Sequence, residues 1–122
     1  METILAIGEN VELLRSRALV LEKTGASATY CTVVDFPAHW ADRGIGLVVL
    51  CHTLEPEERR LILEKVGQRW PAARILQVSR DYGDDVKQAY VDDWVLAWEP
   101  EKLLRQAKEL LDSSAKVRHR LA

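Results

Sequence analysis

The sequence predicts an α/β domain built on a five-stranded parallel sheet, and three observations lead to this prediction. Short apolar runs alternate along the chain with longer amphipathic stretches, and the connections between them are short. The clearest run, residues 46–50, is continuously apolar and leads into Cys51, His52 and Thr53. Such a run is typical of a strand buried on both faces in the middle of a parallel sheet. No internal repeat and no Gly/Ser-rich linker divides the chain, so we expect a single folded domain.

The first strand and the first helix are predicted from residues 3–25. Residues 3–7 form the strand, and Gly8 ends it. Asn10 has the side chain of a good N-cap for the helix that follows, and Gly25 closes that helix. One face of the helix is apolar at the helical spacing, and it consists of Leu14, Ala18 and Leu21.

The middle of the chain predicts two further strands and a second helix. Residues 28–34 are rich in β-forming side chains, residues 36–42 form a short helix or turn, and residues 45–50 form the third strand. Residues 55–58, Glu-Pro-Glu-Glu, open a helix because proline fits its first turn and acids favour the positive end of its dipole. Its expected core stripe is Leu61, Ile62, Lys65, Val66 and Trp70.

The last third of the chain predicts strands over residues 74–78 and 94–97. Residues 81–91 between them are polar and contain a glycine, so they allow a short helix at most. A final helix starts at residues 99–101, Glu-Pro-Glu. Its apolar face consists of Leu103, Leu104, Ala107, Leu110 and Leu111.

Composition and charge narrow the possible functions. The 122 residues carry a formal net charge of −2, which gives no overall attraction to nucleic acid or to a membrane surface. No apolar segment is long enough to span a bilayer, and the two cysteines lack metal-binding spacing, so we expect a cytoplasmic protein. Residues 113–122 contain three basic residues and no acid. We therefore divide the chain into a domain over residues 1–112 and a basic tail over residues 113–122.

Three segments of the chain resemble the receiver domain of bacterial two-component response regulators. Residues 4–14 look like its first strand and helix start, residues 47–53 like its third strand, and residues 99–104 like the start of its last helix. The resemblance covers about residues 3–112. It implies a flavodoxin-like, CheY-like three-layer fold with strand order 2-1-3-4-5 and, in this chain, a shortened fourth helix.

The resemblance also shows where the chemistry of a working receiver is missing. After the first strand the family has two acids that hold Mg²⁺, and those places hold Gly8 and Glu9 here, so at most one oxygen ligand remains. Cys51 stands where the family has its phosphate-accepting aspartate, and Leu96 stands where it has its lysine. Ser79 fits the hydroxyl residue that senses the phosphoryl group. These positions predict a degenerate receiver that is not an enzyme, binds no metal or cofactor and is not phosphorylated.

The sequence leaves two other functional interpretations of these positions open. The crevice around Gly8, Glu9, Cys51 and Ser79 could bind a small molecule or nucleotide, although no glycine-rich phosphate loop follows the first strand. Cys51 beside His52 could be a reactive thiol, although neighbours on a strand point to opposite faces. We expect Cys51 to be a buried structural thiol, and Cys31 and Cys51 to remain unpaired.

The predicted activity is therefore binding of a protein partner, or of a second copy, in signal transduction. Large aromatic residues near the ends of elements are typical anchors at protein interfaces. Trp98 stands just before the last helix, and Lys116, Arg118 and Arg120 follow at its far end. We expect these four residues to form the partner-binding surface.

Overall fold

The computed structural model describes residues 2–80, 91–97 and 99–121, and it describes side chains as far as residue 112. The elements in chain order are β1 (Thr3–Gly8), α1 (Val11–Glu22), β2 (Ser27–Thr32), a short 3-10 helix (Phe36–His39), β3 (Ile45–Leu50), α2 (Pro56–Arg69), β4 (Arg74–Ser79), β5 (Asp93–Leu96) and α3 (Pro100–Leu121). Their type and order agree with the sequence prediction. The expected shortened fourth helix falls on residues 81–90, which lie outside the described residues.

The five strands form one sheet in the order β2-β1-β3-β4-β5, and every neighbouring pair is parallel. The predicted strand order is confirmed. Because all strands run in one direction, their carboxyl ends lie along a single edge, called here the carboxyl edge. The register sets Leu50 of β3 opposite Gln77 of β4, and Ser79 of β4 opposite Leu96 of β5.

Both faces of the sheet are covered by helices, which explains the continuous apolar run in the third strand. One face packs against α2 and the 3-10 helix through a cluster that includes Leu50, Ile62 and Trp70. The other face packs against α1 and α3 through a cluster that includes Leu14, Val49 and Leu103. All six residues of β3 are buried as a result.

The helix ends form as local sequence predicts. The side-chain oxygen of Asn10 accepts a hydrogen bond from the backbone N–H of Leu13 at 3.1 Å. At the start of α2 the backbone N–H of Glu55 donates to the Glu58 carboxylate at 3.1 Å, and a proline occupies the first turn. Gly25 follows α1 with a φ of 94°, a left-handed conformation that favours glycine.

The predicted core stripe of α2 is wrong at two positions. Leu61 is 47% exposed and Lys65 is exposed, whereas Leu63 and Arg59 are buried. The sequence Leu-Ile-Leu leaves two possible rotations of the helix about its axis. Ile62 is buried in both rotations, and packing against the sheet selects the one that also buries Arg59 and Leu63.

The last helix is longer than the sequence prediction implied. α3 has 22 residues, so its backbone continues through most of the basic segment 113–122. Its buried residues, as far as the side chains are described, are Leu103, Ala107 and Leu111. In the part of the chain that the structure describes, no helix combines the length and the apolar character needed to cross a bilayer.

Candidate functional site

The carboxyl edge brings together the ends of β1, β3, β4 and β5, and with them the predicted site residues. Cys51 directly follows β3, and its backbone N–H donates to the carbonyl of Ile7 in β1 at 2.9 Å. The carbonyl of Ser79 at the end of β4 accepts from the backbone N–H of Ala97 at 2.9 Å. Gly8 and Leu96 are the last residues of β1 and β5. Strand order thus places all four positions along one edge.

Gly8 is held in a space with no room for a side chain. A Cβ atom at this position would lie 2.8 Å from Thr53 Oγ1 and 3.0 Å from Cys51 Cβ. The Thr53 hydroxyl is fixed there, since it accepts the backbone N–H of Glu9 at 2.9 Å. The volume that a carboxylate would need beside Cys51 is therefore filled by the chain itself.

Glu9 is turned toward the end of β2. Its carboxylate accepts a hydrogen bond from the backbone N–H of Val33 at 3.4 Å. Within residues 2–80, 91–97 and 99–112, no group of three or more His, Cys, Asp or Glu side chains is placed to hold a metal ion. The donor set at the carboxyl edge thus does not match the oxygen-rich coordination that Mg²⁺ prefers.

Cys51 is wholly buried on the face that packs against α1 and α3. Burial raises the pKa of its thiol above the usual value, although Arg17 acts in the opposite direction. A thiol held in its protonated form is a poor nucleophile. Cys31 is also a free, buried thiol, and β1 separates its strand from β3, so the prediction of two unpaired cysteines is confirmed.

Ser79 and Leu96 lie side by side but offer little reactive surface. Ser79 is 2% exposed, and its hydroxyl accepts a hydrogen bond from the side-chain amide of Gln77 at 3.2 Å. Because side chains alternate along a strand, Ser79 shares the face of Leu50 and lies on the opposite face from Cys51. Leu96 is also buried. Leu96 and Ala97 are both uncharged. If the lysine of the receiver resemblance were aligned with Ala97 in place of Leu96, the position would still lack an amine.

The structure adds a group of cationic side chains that the sequence prediction missed. Arg17 of α1 is 8% exposed, and its Nη2 lies 3.0 Å from Nδ1 of His52. Because a guanidinium group can only donate hydrogen bonds, Nδ1 must accept, and the neutral ring carries its proton on Nε2. His52 is therefore a neutral imidazole with one N–H donor.

Two more arginines, one from α2 and one from just after β4, line the same cavity as His52. Arg59 of α2 is 2% exposed and donates to the carbonyl of Leu54 at 3.3 Å, and Arg80 directly follows β4. Burial lowers the pKa of His52, and the charges of Arg17, Arg80 and Arg59 lower it further. We call the three arginines the basic cluster.

A cavity of about 410 Å³ opens beside the basic cluster. It lies between the loop that follows β3, the start of α2 and the end of β4. Its lining consists of His52, Thr53, Leu54, Glu55, Pro56, Arg59 and Arg80.

The sequence contains a partial signal for this cluster. Arg17 stands three residues after Leu14 and four before Leu21, on the apolar stripe of α1. Arg59 stands three residues before Ile62 and seven before Val66 in α2. An arginine at a core-facing helix position is unusual, because such a charge is rarely buried without a specific partner. The pattern marks each residue, but it does not show that both approach one histidine.

The partner-binding residues predicted from the sequence are beyond the described side chains. Trp98 lies outside the described residues. Lys116, Arg118 and Arg120 belong to the last part of α3, whose backbone is helical. Their assignment to a binding surface stays a prediction.

Comparison with known proteins shows the fold. A CheY-like response regulator receiver domain from Methanospirillum hungatei is 22% identical and superposes with a TM-score of 0.78, covering 95% of this chain and 98% of its own. A signal receiver domain of a putative LuxO repressor protein from Vibrio parahaemolyticus is 12% identical, with a TM-score of 0.79 and coverages of 98% and 96%. The fold is CheY-like. No protein-family model matches the chain, and no curated protein matches its sequence.

A third similar structure belongs to a protein that is not named as a receiver domain. A putative pilus assembly-related protein from Burkholderia pseudomallei is 20% identical, with a TM-score of 0.72, and the match covers 92% of this chain and 90% of that protein. The superpositions establish the CheY-like fold, and identities this low leave the function to be argued from the site.

Proposed function

We propose that this chain is a receiver-like signalling module that is not phosphorylated and that acts by contact with a protein. The observation that carries the proposal is the wholly buried thiol of Cys51 at the acceptor position, next to a Gly8 with no room for a side chain. Formation of an aspartyl phosphate needs a carboxylate nucleophile and a cation held by oxygen ligands. A buried, protonated thiol supplies neither of them.

The surroundings of Cys51 support the same proposal. Leu96 is an apolar side chain where a receiver has a lysine to pair with the phosphoryl group, and Glu9 is hydrogen-bonded toward the end of β2. The guanidinium of Arg17 acts on the thiol through its charge and a hydrogen bond. The two free thiols also fit a reducing compartment, and we propose the cytoplasm.

Incubation with acetyl phosphate and Mg²⁺, followed by intact mass measurement, tests the absence of phosphorylation. We expect no added phosphoryl group, whereas a phosphorylatable receiver domain in the same mixture gains one. Cys51→Asp alone should still be phosphorylated poorly, because Gly8 leaves no space for a second acid and Leu96 supplies no lysine. A phosphoryl group mapped to any carboxylate of the carboxyl edge in the unaltered chain would contradict the proposal.

We place the partner-binding surface at the end of β5 and along α3. A helix of 22 residues is about 33 Å long, whereas a six-residue strand is about 20 Å long. Among the side chains described, the last one that α3 buries is Leu111. The proposed surface comprises Trp98 with Lys116, Arg118 and Arg120, and its occupant is a protein with acidic groups or a second copy of the chain.

Light scattering after size exclusion tests self-association, and a pull-down tests other partners. We expect Trp98→Ala to weaken the association, because large aromatic residues contribute most at interfaces. Removing one of the basic residues should cost only about 0.2–1 kcal/mol, as for other exposed ion pairs. Trp40→Ala is the matched control, since Trp40 is 39% exposed and lies in another part of the chain. Equal effects of the two variants would move the surface elsewhere.

A further inference from the structure

The two edge strands of the sheet differ in how they are protected from other chains. β5 at one edge has four residues and begins with the charged Asp93. β2 at the other edge has six residues, Ser-Ala-Thr-Tyr-Cys-Thr, with no charge and no proline, and it pairs with β1 without a register shift. Proteins protect an edge strand by short length, charge, proline or a bulge. β2 has none of these four devices.

The outer side of β2, called here the β2 edge, presents backbone groups that the sheet does not use. A strand directs its N–H and C=O groups alternately to its two sides, and β2 pairs with β1 on one side only. Within the described part of the chain, one further backbone hydrogen bond of β2 is formed, from the N–H of Asp35 to the carbonyl of Thr32 at 3.1 Å. The other outward groups are available to a strand of another chain.

Exposed apolar side chains border the β2 edge. Val11, Arg15 and Leu19 follow one another at intervals of four, so they share one side of α1. That side borders β2, because the Nε–H of Arg15 donates to the hydroxyl of Tyr30 at 3.4 Å. Leu19 is 63% exposed and Val11 is 44% exposed, and Val34, just after β2, is 84% exposed. Exposed apolar side chains that lie together are typical of protein interfaces.

We propose that the β2 edge binds a second copy of this chain. The two β2 strands pair antiparallel about a two-fold axis, and the two five-stranded sheets join into one continuous sheet. The inference goes beyond the proposed function, whose surface lies at the end of β5 and along α3. That surface and the β2 edge belong to opposite edges of the sheet, so one can bind a copy while the other binds a different protein.

The neutral side chains of β2 fit a copy of the same strand. In a two-fold antiparallel pair, residues on one face of the joined sheet lie opposite residues of that same face. Ala28 and Tyr30 lie on the face of α1, whereas Cys31 lies on the other face and shares it with Thr29. Like charges opposite each other destabilise a strand pair, and β2 has no charge to bring together.

The same axis brings the two α1 helices together along their exposed apolar side. Because the helices run antiparallel across the axis, the start of one lies beside the end of the other. Val11 of one copy therefore lies near Leu19 of the other, and burial of these side chains adds to the backbone hydrogen bonds. An interface of one strand pair and two helix sides is small, so we expect a dissociation constant of about 1–100 µM.

Light scattering after size exclusion, from about 10 µM to about 1 mM protein, tests this inference. We expect the mass to rise from that of one chain to that of two, and no further, because the dimer uses both β2 edges. Amide hydrogen exchange gives a second measurement. Every second backbone N–H of β2 should exchange more slowly as the protein concentration rises, because those groups become paired with the other copy.

Thr29→Lys should raise the dissociation constant about tenfold or more, because the two introduced lysines lie close together on one face of the joined sheet. Leu61→Lys is the matched control. Leu61 is 47% exposed on α2, outside the β2 edge, and the change should alter the dissociation constant by less than about twofold. Leu19→Ser leaves β2 unchanged and should weaken the dimer about threefold or more. Circular dichroism verifies the fold of each variant.

Three results would overturn the inference. The first is a monomer at every concentration up to about 1 mM, and the second is an equal effect of Thr29→Lys and Leu61→Lys. The third is a dimer that Trp98→Ala weakens and Thr29→Lys does not, which would place the second copy on the surface at β5 and α3. Retention of a different protein by the Thr29→Lys variant separates a failure at the β2 edge from a failure of the proposed function.

Discussion

The amino ends and the carboxyl ends of the strands are built in different ways. At the amino ends, on the segments that lead into β3 and β4, Trp40 and Trp70 pack together and against Phe36. The ring centroids of each pair among these three residues lie 6.2 Å apart. We call these three residues the aromatic cluster. The indole N–H of Trp70 donates to the carbonyl of Asp42 at 2.9 Å, so its polar group is satisfied. This end is stabilised by apolar packing.

The carboxyl edge instead buries charge. Arg17 and Arg59 are both nearly inaccessible to solvent, and they lie near His52 and the wholly buried Cys51. Apolar residues of similar volume at such positions are often neutral or stabilising compared with buried ions. The two ends therefore differ in what they bury, which is aromatic rings at one end and guanidinium groups at the other.

Truncation in the aromatic cluster should cause the largest loss of stability. Trp70→Ala is expected to lower the free energy of unfolding by about 3–5 kcal/mol, because it removes a large side chain from the core. Trp40→Ala should cost about 1–2 kcal/mol, since that ring is already 39% exposed. Urea denaturation measures both. Equal losses would show that the cluster is not organised around Trp70.

A methyl group at Gly8 should cost less, but it tests the packing of the carboxyl edge directly. Gly8→Ala is expected to lower the free energy of unfolding by about 1–3 kcal/mol, because its Cβ would meet Thr53 and Cys51. Gly67→Ala is the control. No heavy atom lies within 4 Å of a Cβ there, and the change should raise helix stability by about 0.5–1 kcal/mol. Similar effects of both changes would contradict the close packing.

Removal of a buried cation should alter the titration of His52. Proton NMR should find its pKa below the usual 6.5, and Arg17→Met should raise it because one repelling charge is lost. Arg15→Met is the control, since Arg15 is exposed and contacts Tyr30. A lowered folded-state pKa means that unfolded chains bind the proton more readily. Stability should therefore fall as the pH drops below about 6.5 and through the lower folded value.

The smallest expected effect concerns the two thiols at neutral pH. Both cysteines are buried, so a thiol reagent should react slowly with folded protein and should find two free thiols after unfolding.

Burial, with the charges of Asp35 and Asp42, raises the pKa of Cys31 from 9.0 to about 12. Its contribution to stability is present below pH 9.0 and is lost as the pH rises toward about 12. Cys31→Val should flatten this alkaline decline, and an unchanged slope would contradict its origin in Cys31.

Local sequence was sufficient for the elements that depend on neighbouring residues. The Asn10 cap, the proline start of α2 and the buried β3 run all involve contacts within a few residues or a continuous apolar pattern. The sequence also shows that Gly8 lacks a carboxylate and that Cys51 carries a thiol. Both residues could be assigned to one edge of the sheet, because the carboxyl ends of parallel strands meet there. These features determined the fold class, whereas the strand order was implied by the resemblance to receiver domains.

Only the tertiary structure decided which side chains meet at the carboxyl edge. Arg17 and His52 are 35 positions apart and touch because β1 and β3 are neighbours in the sheet. The rotation of α2 that buries Arg59 in place of Leu61 follows from packing against the sheet, since the sequence alone allows two apolar faces. Side-chain periodicity specifies a helix but sets its rotation only loosely. Long-range contacts fix that rotation, and with it the cavity beside His52.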